Sequence, residues 1–205
     1  MQYDKLSSKD SVEKTIVALG ERGIGAVLVD SSASALAKIK EMIPHGLSVM
    51  NGSSRTLEQI GFVEYLKSGA HGWNNLHARV LAETDPVKQA RLRKESVLSD
   101  YYLGSAHAVA ETGEIVIASN SGSQLPHLVY TSPNIILVVG THKITRDLAT
   151  AIARVREHAL PLEDARAKSL GWGGSQISKL LIIERENPKM GRNFKVLFVP
   201  EILGF

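Results

Sequence analysis

Cysteine is missing from the sequence altogether. The chain therefore closes no disulfide, holds no zinc through thiolates, ligates no iron–sulfur cluster and has no thiol nucleophile. No run approaches the roughly 20 apolar residues needed to span a bilayer, and the first ten residues lack the apolar core of a secretory signal. A cytoplasmic protein with no membrane partner is the expectation. An excess of one charge is lacking as well: 24 basic residues stand against 21 acidic ones, for a net charge of +3 and no basic tail. Nucleic acid is thus not indicated as a partner. What is present, 205 residues of which 43% are hydrophobic and 22% charged, suffices for one well-buried domain over 1–205.

The most informative stretch is 47–56. Leu47 to Met50 reads as a short buried strand, Asn51-Gly52 as a turn, and Ser53, Ser54 and Thr56 as caps for a helix carrying Leu57 and Ile60. Free N–H groups at such a helix start, with Arg55 beside them, suit a phosphate or carboxylate. A capped turn with no ligand accounts for the local pattern equally well. It is neither a dinucleotide fingerprint nor a P-loop.

Before this stretch the chain spells helix (10–22), strand (26–30), helix (to Met42, blocked by Pro44) and strand (47–50), which implies parallel pairing through right-handed crossovers. After it, Gly61 breaks a helix over 56–67. His71, Trp73 and His77 then fall in an irregular connection without carboxylates at metal-ligand spacing, so no metal site is assigned and surface packing is expected. A basic amphipathic helix starts at Asp85-Pro86. Strand-like runs at 107–110 and 114–118 meet at Glu111-Thr112-Gly113, where the glycine fits a tight turn and the Glu111 carboxylate can serve as base or nucleophile, or simply face water. Asn134 to Val139 is the most apolar run and should be a central strand buried on both faces. Gly140, Thr141, His142 and Lys143 at its end stand where open α/β sheets collect ligands, with Lys143 able to neutralise an anion.

The pattern predicts a helix over 145–158 stopped by Pro161, a short charged helix over 162–169, and a glycine-rich loop at 171–176. Strands over 179–184 and 194–200, joined through Asn187-Pro188 and Gly191, are expected to form an antiparallel hairpin on the sheet edge. An exposed hairpin edge and a flexible loop favour self-association, most simply a homodimer.

Three segments in order carry a family resemblance: Asn51 to Gly61, Ala106 to Gly113 and Ile135 to Lys143. Together they resemble the LUD domain of lactate-utilization proteins, also called DUF162, from about residue 10 onward. The resemblance implies a three-layer α/β/α Rossmann-like, mostly parallel sheet similar to the NagB/RpiA/CoA transferase superfamily. It further implies that 52–56, 111–113 and 140–143 surround one cleft. Ala110-Glu111-Thr112-Gly113 resembles the segment around the CoA-transferase nucleophile, with Thr112 where asparagine is usual. Where the family often has Asp, Gly104-Ser-Ala-His107 carries His.

Family members take part in oxidising L-lactate beside iron–sulfur partners, so the resemblance makes this chain a cluster-free component of organic-acid metabolism that binds a small anionic metabolite. Two alternatives stand beside it. One is a freestanding sugar-phosphate isomerase/deaminase-like or CoA-transferase-like enzyme using Glu111; the other is a ligand-binding module without chemistry. No cofactor is held by cysteine, and none other is assigned.

Overall fold

A computed structural model describes residues 3–205. Local rules set the first elements. Ser8 accepts from the Ser11 amide to open α1 (Lys9–Glu21), which buries Val12, Thr15 and Leu19 at helical spacing. The chain turns at Gly23, in the left-handed region at φ 76°, into β1 (Gly25–Leu28). Ser31 caps α2 (Ser32–Met42), and β2 (Ser48–Asn51) follows. Ser54 caps α3 (Arg55–Gln59), and Gly61 at φ 79° redirects the chain into α4 (Phe62–Ser68).

Beyond the two-residue β3 (Asn74–Asn75) come α5 (Leu76–Ala82) and α6 (Pro86–Glu95). Asp85 caps α6 by accepting from the Val87 and Lys88 amides, but the helix buries no residue and so has no apolar face. The expected amphipathicity is not realised: Val87, Ala90 and Leu92 are the apolar residues among ten, and none of them is buried. Next are β4 (Tyr101–Gly104), β5 (Ala108–Ala110), β6 (Ile115–Ser119), β7 (Asn134–Gly140) and β8 (Ile144–Thr145). The chain finishes with α7 (Leu148–Arg154), α8 (Leu160–Ser169), β9 (Lys179–Ile183) and β10 (Asn193–Val199).

The main sheet is six-stranded and parallel, in the order β1-β10-β7-β4-β2-β3. Period-two alternation divides its side chains between two cores. Ile135, Leu137 and Val139 of β7 join Phe194, Val196 and Phe198 of β10 against α1. Ile136 and Val138 turn the other way, with Leu197 and Val199, against α2, α3 and α4. A second sheet, β8-β5-β6-β9, lies in the α1 layer, contributes Val109, Ile115 and Ile117 to the first core, and is backed by Ala151 of α7 and by Val155 just after it. The result is a three-layer α/β/α fold with β7 deep inside it, as its apolar run requires.

Three expectations are corrected. β1 and β2 are parallel members of one sheet, but β10, β7 and β4 lie between them, so they do not pair. The C-terminal hairpin does not form. β9 pairs antiparallel with β6 in the small sheet, while β10 is inserted in parallel between β1 and β7. The physical reason is burial on both faces: Phe194, Val196, Leu197, Phe198 and Val199 are all buried, which suits a central strand and not an edge. The hairpin-edge argument for a dimer falls with it. Finally, Pro161 does not stop the helix. Residues 148–169 are helical throughout, with a π-helical stretch over Val155–Ala159 just before the proline. The wider turn accommodates a ring that has no N–H and would otherwise press on the carbonyl four residues back.

Candidate functional site

Adjacent parallel strands end together, and three of them supply the site. At the carboxyl ends of β2, β4 and β7 stand the loops beginning at Gly52, Ser105 and Thr141. They open onto a cavity of about 840 Å³, which also reaches the 118–124 loop, α6, α8 and the glycine-rich segment after α8. This is the usual ligand position of open α/β sheets.

Gly52 is needed for close approach: a Cβ there would sit 3.1 Å from the Tyr102 hydroxyl oxygen and 3.5 Å from Gln124 Oε1. Buried beneath it, Tyr102 stacks on His127 at a centroid distance of 4.4 Å. His127 Nδ1 lies 2.8 Å from Ser132 Oγ, and burial pushes its pKa down to about 4. Beside the loop, His77 Nδ1 is 2.9 Å from the Asn51 carbonyl, and burial lowers its pKa.

Lys143 is the central polar group. It is only 3% exposed, yet it lines the cavity. Its Nζ donates to Thr56 Oγ1 at 3.2 Å and to Ser105 Oγ at 3.3 Å. Among the described residues it has no carboxylate within salt-bridge distance. Burial, and then the guanidinium of Arg154, push its pKa down to about 7. Arg154, on α7, is fully buried and donates to the His107 carbonyl at 2.5 Å. His107 accepts from the Ala118 amide at Nδ1, 3.2 Å away, which places the ring proton on Nε2. Burial, then Lys143 and Arg154, lower its pKa to about 3, so the ring is neutral. His107 is partly buried and lines the cavity.

At the rim, charges are unequally matched. Of the two side-chain carboxylates that line the cavity, Glu58 is bonded to Arg55 at 3.1 Å and Glu163 to Arg166 at 2.7 Å. Arg93, on α6, has no carboxylate partner among the described residues. Trp172 is 60% exposed, with the Arg166 guanidinium 5.2 Å from its ring centre. The described residues contain no group of three His, Cys, Asp or Glu placed to hold a metal ion.

Of the residues singled out by sequence, Asn51, Gly52, Ser53, Ser54, Arg55, Thr56 and Lys143 come together around the cavity. Gly140, Thr141 and His142 do not line it. Gly140 is a packing position, where a Cβ would lie 2.5 Å from the Glu201 carbonyl. Thr141 and His142 are buried behind Lys143, and burial, followed by Lys143 and Arg154, lowers the His142 pKa to about 3. Nor do Glu111, Thr112 and Gly113 reach the cavity. Glu111 instead accepts from Ser11 Oγ at 2.6 Å and Lys14 Nζ at 2.8 Å, fastening α1 to the β5–β6 turn. Lys14 and Ser11 hold its pKa below the usual carboxylate value. Gly113, at φ 97°, makes the tight turn as expected, and Arg22 covers it by donating to the Thr112 carbonyl at 2.7 Å. The α3 helix is also too short, at five residues, for much of a dipole.

The LUD domain family profile matches residues 12–199. The chain belongs to the LUD domain family. A crystal structure of a DUF162 family protein from Deinococcus radiodurans is similar with a TM-score of 0.58 at 14% identity, covering 95% of this chain and 99% of that one. At that identity the likeness speaks for the fold alone. No curated protein matches.

In this LUD domain, sequence reasoning missed Ser105, His107, Arg93 and Trp172. The signal for the first two was available. Ser105-Ala-His107 follows β4 as Gly52-Ser-Ser follows β2, and it is this carboxyl end that meets the cavity, whereas Glu111 lies one strand further on. Arg93 and Trp172 come from segments whose only local signals are solvent exposure and flexibility.

Proposed function

We propose that this LUD domain serves organic-acid utilization, with L-lactate metabolism as the setting, as a cluster-free component that binds a small anionic metabolite in the cavity at the ends of β2, β4 and β7. The observation that carries the reading is the charge imbalance there. Both lining side-chain carboxylates are already paired with arginines, while Arg93 has no carboxylate partner among the described residues. In a partly enclosed site such an imbalance favours a negatively charged occupant. The hydroxyls of Ser53, Ser54 and Thr56 add uncharged donors suited to a carboxylate or phosphate. The absence of cysteine makes any iron–sulfur chemistry in such a pathway the task of a partner oxidoreductase subunit.

A melting screen tests this. Lactate, pyruvate, phosphosugars, CoA esters and nucleotides are added in turn at high concentration. A ligand present at about 100 times its Kd stabilises by roughly 2.7 kcal/mol, a shift of roughly 5–10 °C for a chain of this size. Arg93→Gln should weaken the response to anions and leave the unliganded melting temperature nearly unchanged. If no anion raises the melting temperature, the reading fails.

A further inference from the structure

The hydrogen bonds that protein groups offer Lys143 suit a neutral amine. Thr56 commits its own hydroxyl proton to the Leu203 carbonyl at 3.2 Å, and Ser105 commits its proton to the Ala106 carbonyl at 3.2 Å. Each hydroxyl is then left to Lys143 only as an acceptor. Two acceptors satisfy the two hydrogens of a neutral amine and leave its lone pair free. An ammonium would have a third N–H with no acceptor among the described residues. The depressed pKa of Lys143 has the same physical origin in burial and the neighbouring Arg154.

We propose that Lys143 is a nucleophilic amine that condenses with the carbonyl group of an anionic carbonyl compound held in the cavity, of which a 2-oxo acid is the smallest type. The inference rests on the cavity being the anion site described above. The Nζ lone pair adds to the carbonyl carbon, one amine proton passes to the oxygen, and a carbinolamine results. The oxygen then leaves as water with the second amine proton as the C=N bond forms, so the step consumes no oxidant or reductant. The His107 Nε2–H, with Nδ1 occupied by the Ala118 amide, is the donor available to the carbonyl oxygen as charge develops on it. Thr56 and Ser105 hold the amine in place without competing for its lone pair.

The intact protein is equilibrated with pyruvate or with dihydroxyacetone phosphate at several pH values, quenched with borohydride, and examined by intact mass and peptide mapping. Lactate, which has no carbonyl to attack, is the control. The expected result is a single reduced adduct per chain on the peptide containing Lys143, absent with lactate and absent in Lys143→Met. With limiting ligand, its yield should rise roughly tenfold from pH 6 to pH 8 and then level off, as a group titrating near 7 requires; an ordinary lysine would still be rising. Binding of either carbonyl compound in the melting screen without an adduct overturns the imine and leaves the anion site standing. Labelling spread over several lysines also overturns it. Absence of all anion binding removes both.

Discussion

Replacing Lys143 by methionine should make the protein more stable at neutral pH and less stable in alkali. The unfolded chain holds a lysine near pKa 10.4, whereas the folded chain holds Lys143 near 7, so a proton on the folded amine costs about 5 kcal/mol. The signs follow from which state binds the proton. Below about pH 7 both states carry it and the penalty is full. As pH rises from there to about 10, the unfolded state alone keeps the proton, and the penalty shrinks by roughly 1.4 kcal/mol per pH unit until it is gone. Methionine matches the length of the side chain and carries no charge, but it forfeits the bonds to Thr56 and Ser105, worth about 2 kcal/mol together.

The net gain at pH 7 is therefore about 3 kcal/mol, a rise in Tm of roughly 6–12 °C, and the two proteins should be equally stable near about pH 9. Urea unfolding of both proteins from pH 6 to pH 10 measures this directly. A methionine variant that is less stable at pH 7, or a difference that does not change with pH, would refute the account of Lys143 as a buried and easily deprotonated amine.

Glu111→Gln should lower stability by about 1 kcal/mol or less, because Lys14 is largely exposed, and should leave anion-induced melting shifts intact. The contribution of Glu111 is present above the ordinary carboxylate range and disappears as pH falls through its lowered folded value, so acid titrations of wild type and variant should converge. Gly140→Ala, whose new methyl group meets the Glu201 carbonyl and the His142 ring, should cost about 1–3 kcal/mol by thermal melting; a neutral result would show that the two segments separate easily. Arg22→Met removes bonds from Arg22 to Thr112, Glu184 and Glu114 at once and leaves the Glu114 carboxylate, 11% exposed, without its cation. A loss of about 2–4 kcal/mol in denaturant unfolding is expected, with partial recovery in Arg22→Lys.

Much of this architecture can be read from local pattern. The alternation of helical and strand-like runs gives the α/β class, the uninterrupted apolar run of β7 gives a strand buried on both faces, and the serines before α3 place its cap. The loop after β2 and Lys143 after β7 were found as strand ends. Neighbour relations are harder. By its turn residues the run at 194–200 reads as a strand of an edge hairpin, and nothing local says that β1 and β7 flank it, since that depends on every other strand. Glu111 shows the same limit from the side of chemistry. A carboxylate beside a glycine turn looks alike whether it faces a substrate or Lys14, and only the packing of α1 decides. Pro161 marks a helix end by local rules, yet a wider turn ahead of it absorbs the conflict.

The position of β10 bears on how the molecule comes into being. A ribosome releases residues 193–199 after every other strand, yet they form the seam between β1 and the rest of the main sheet. Until that seam closes, β1 has no partner strand and the apolar flank of β7 lies open to solvent and to other nascent chains. The domain is therefore expected to fold only once β10 has left the ribosome, and a stop codon before residue 193 should yield aggregate instead of a shortened but working domain.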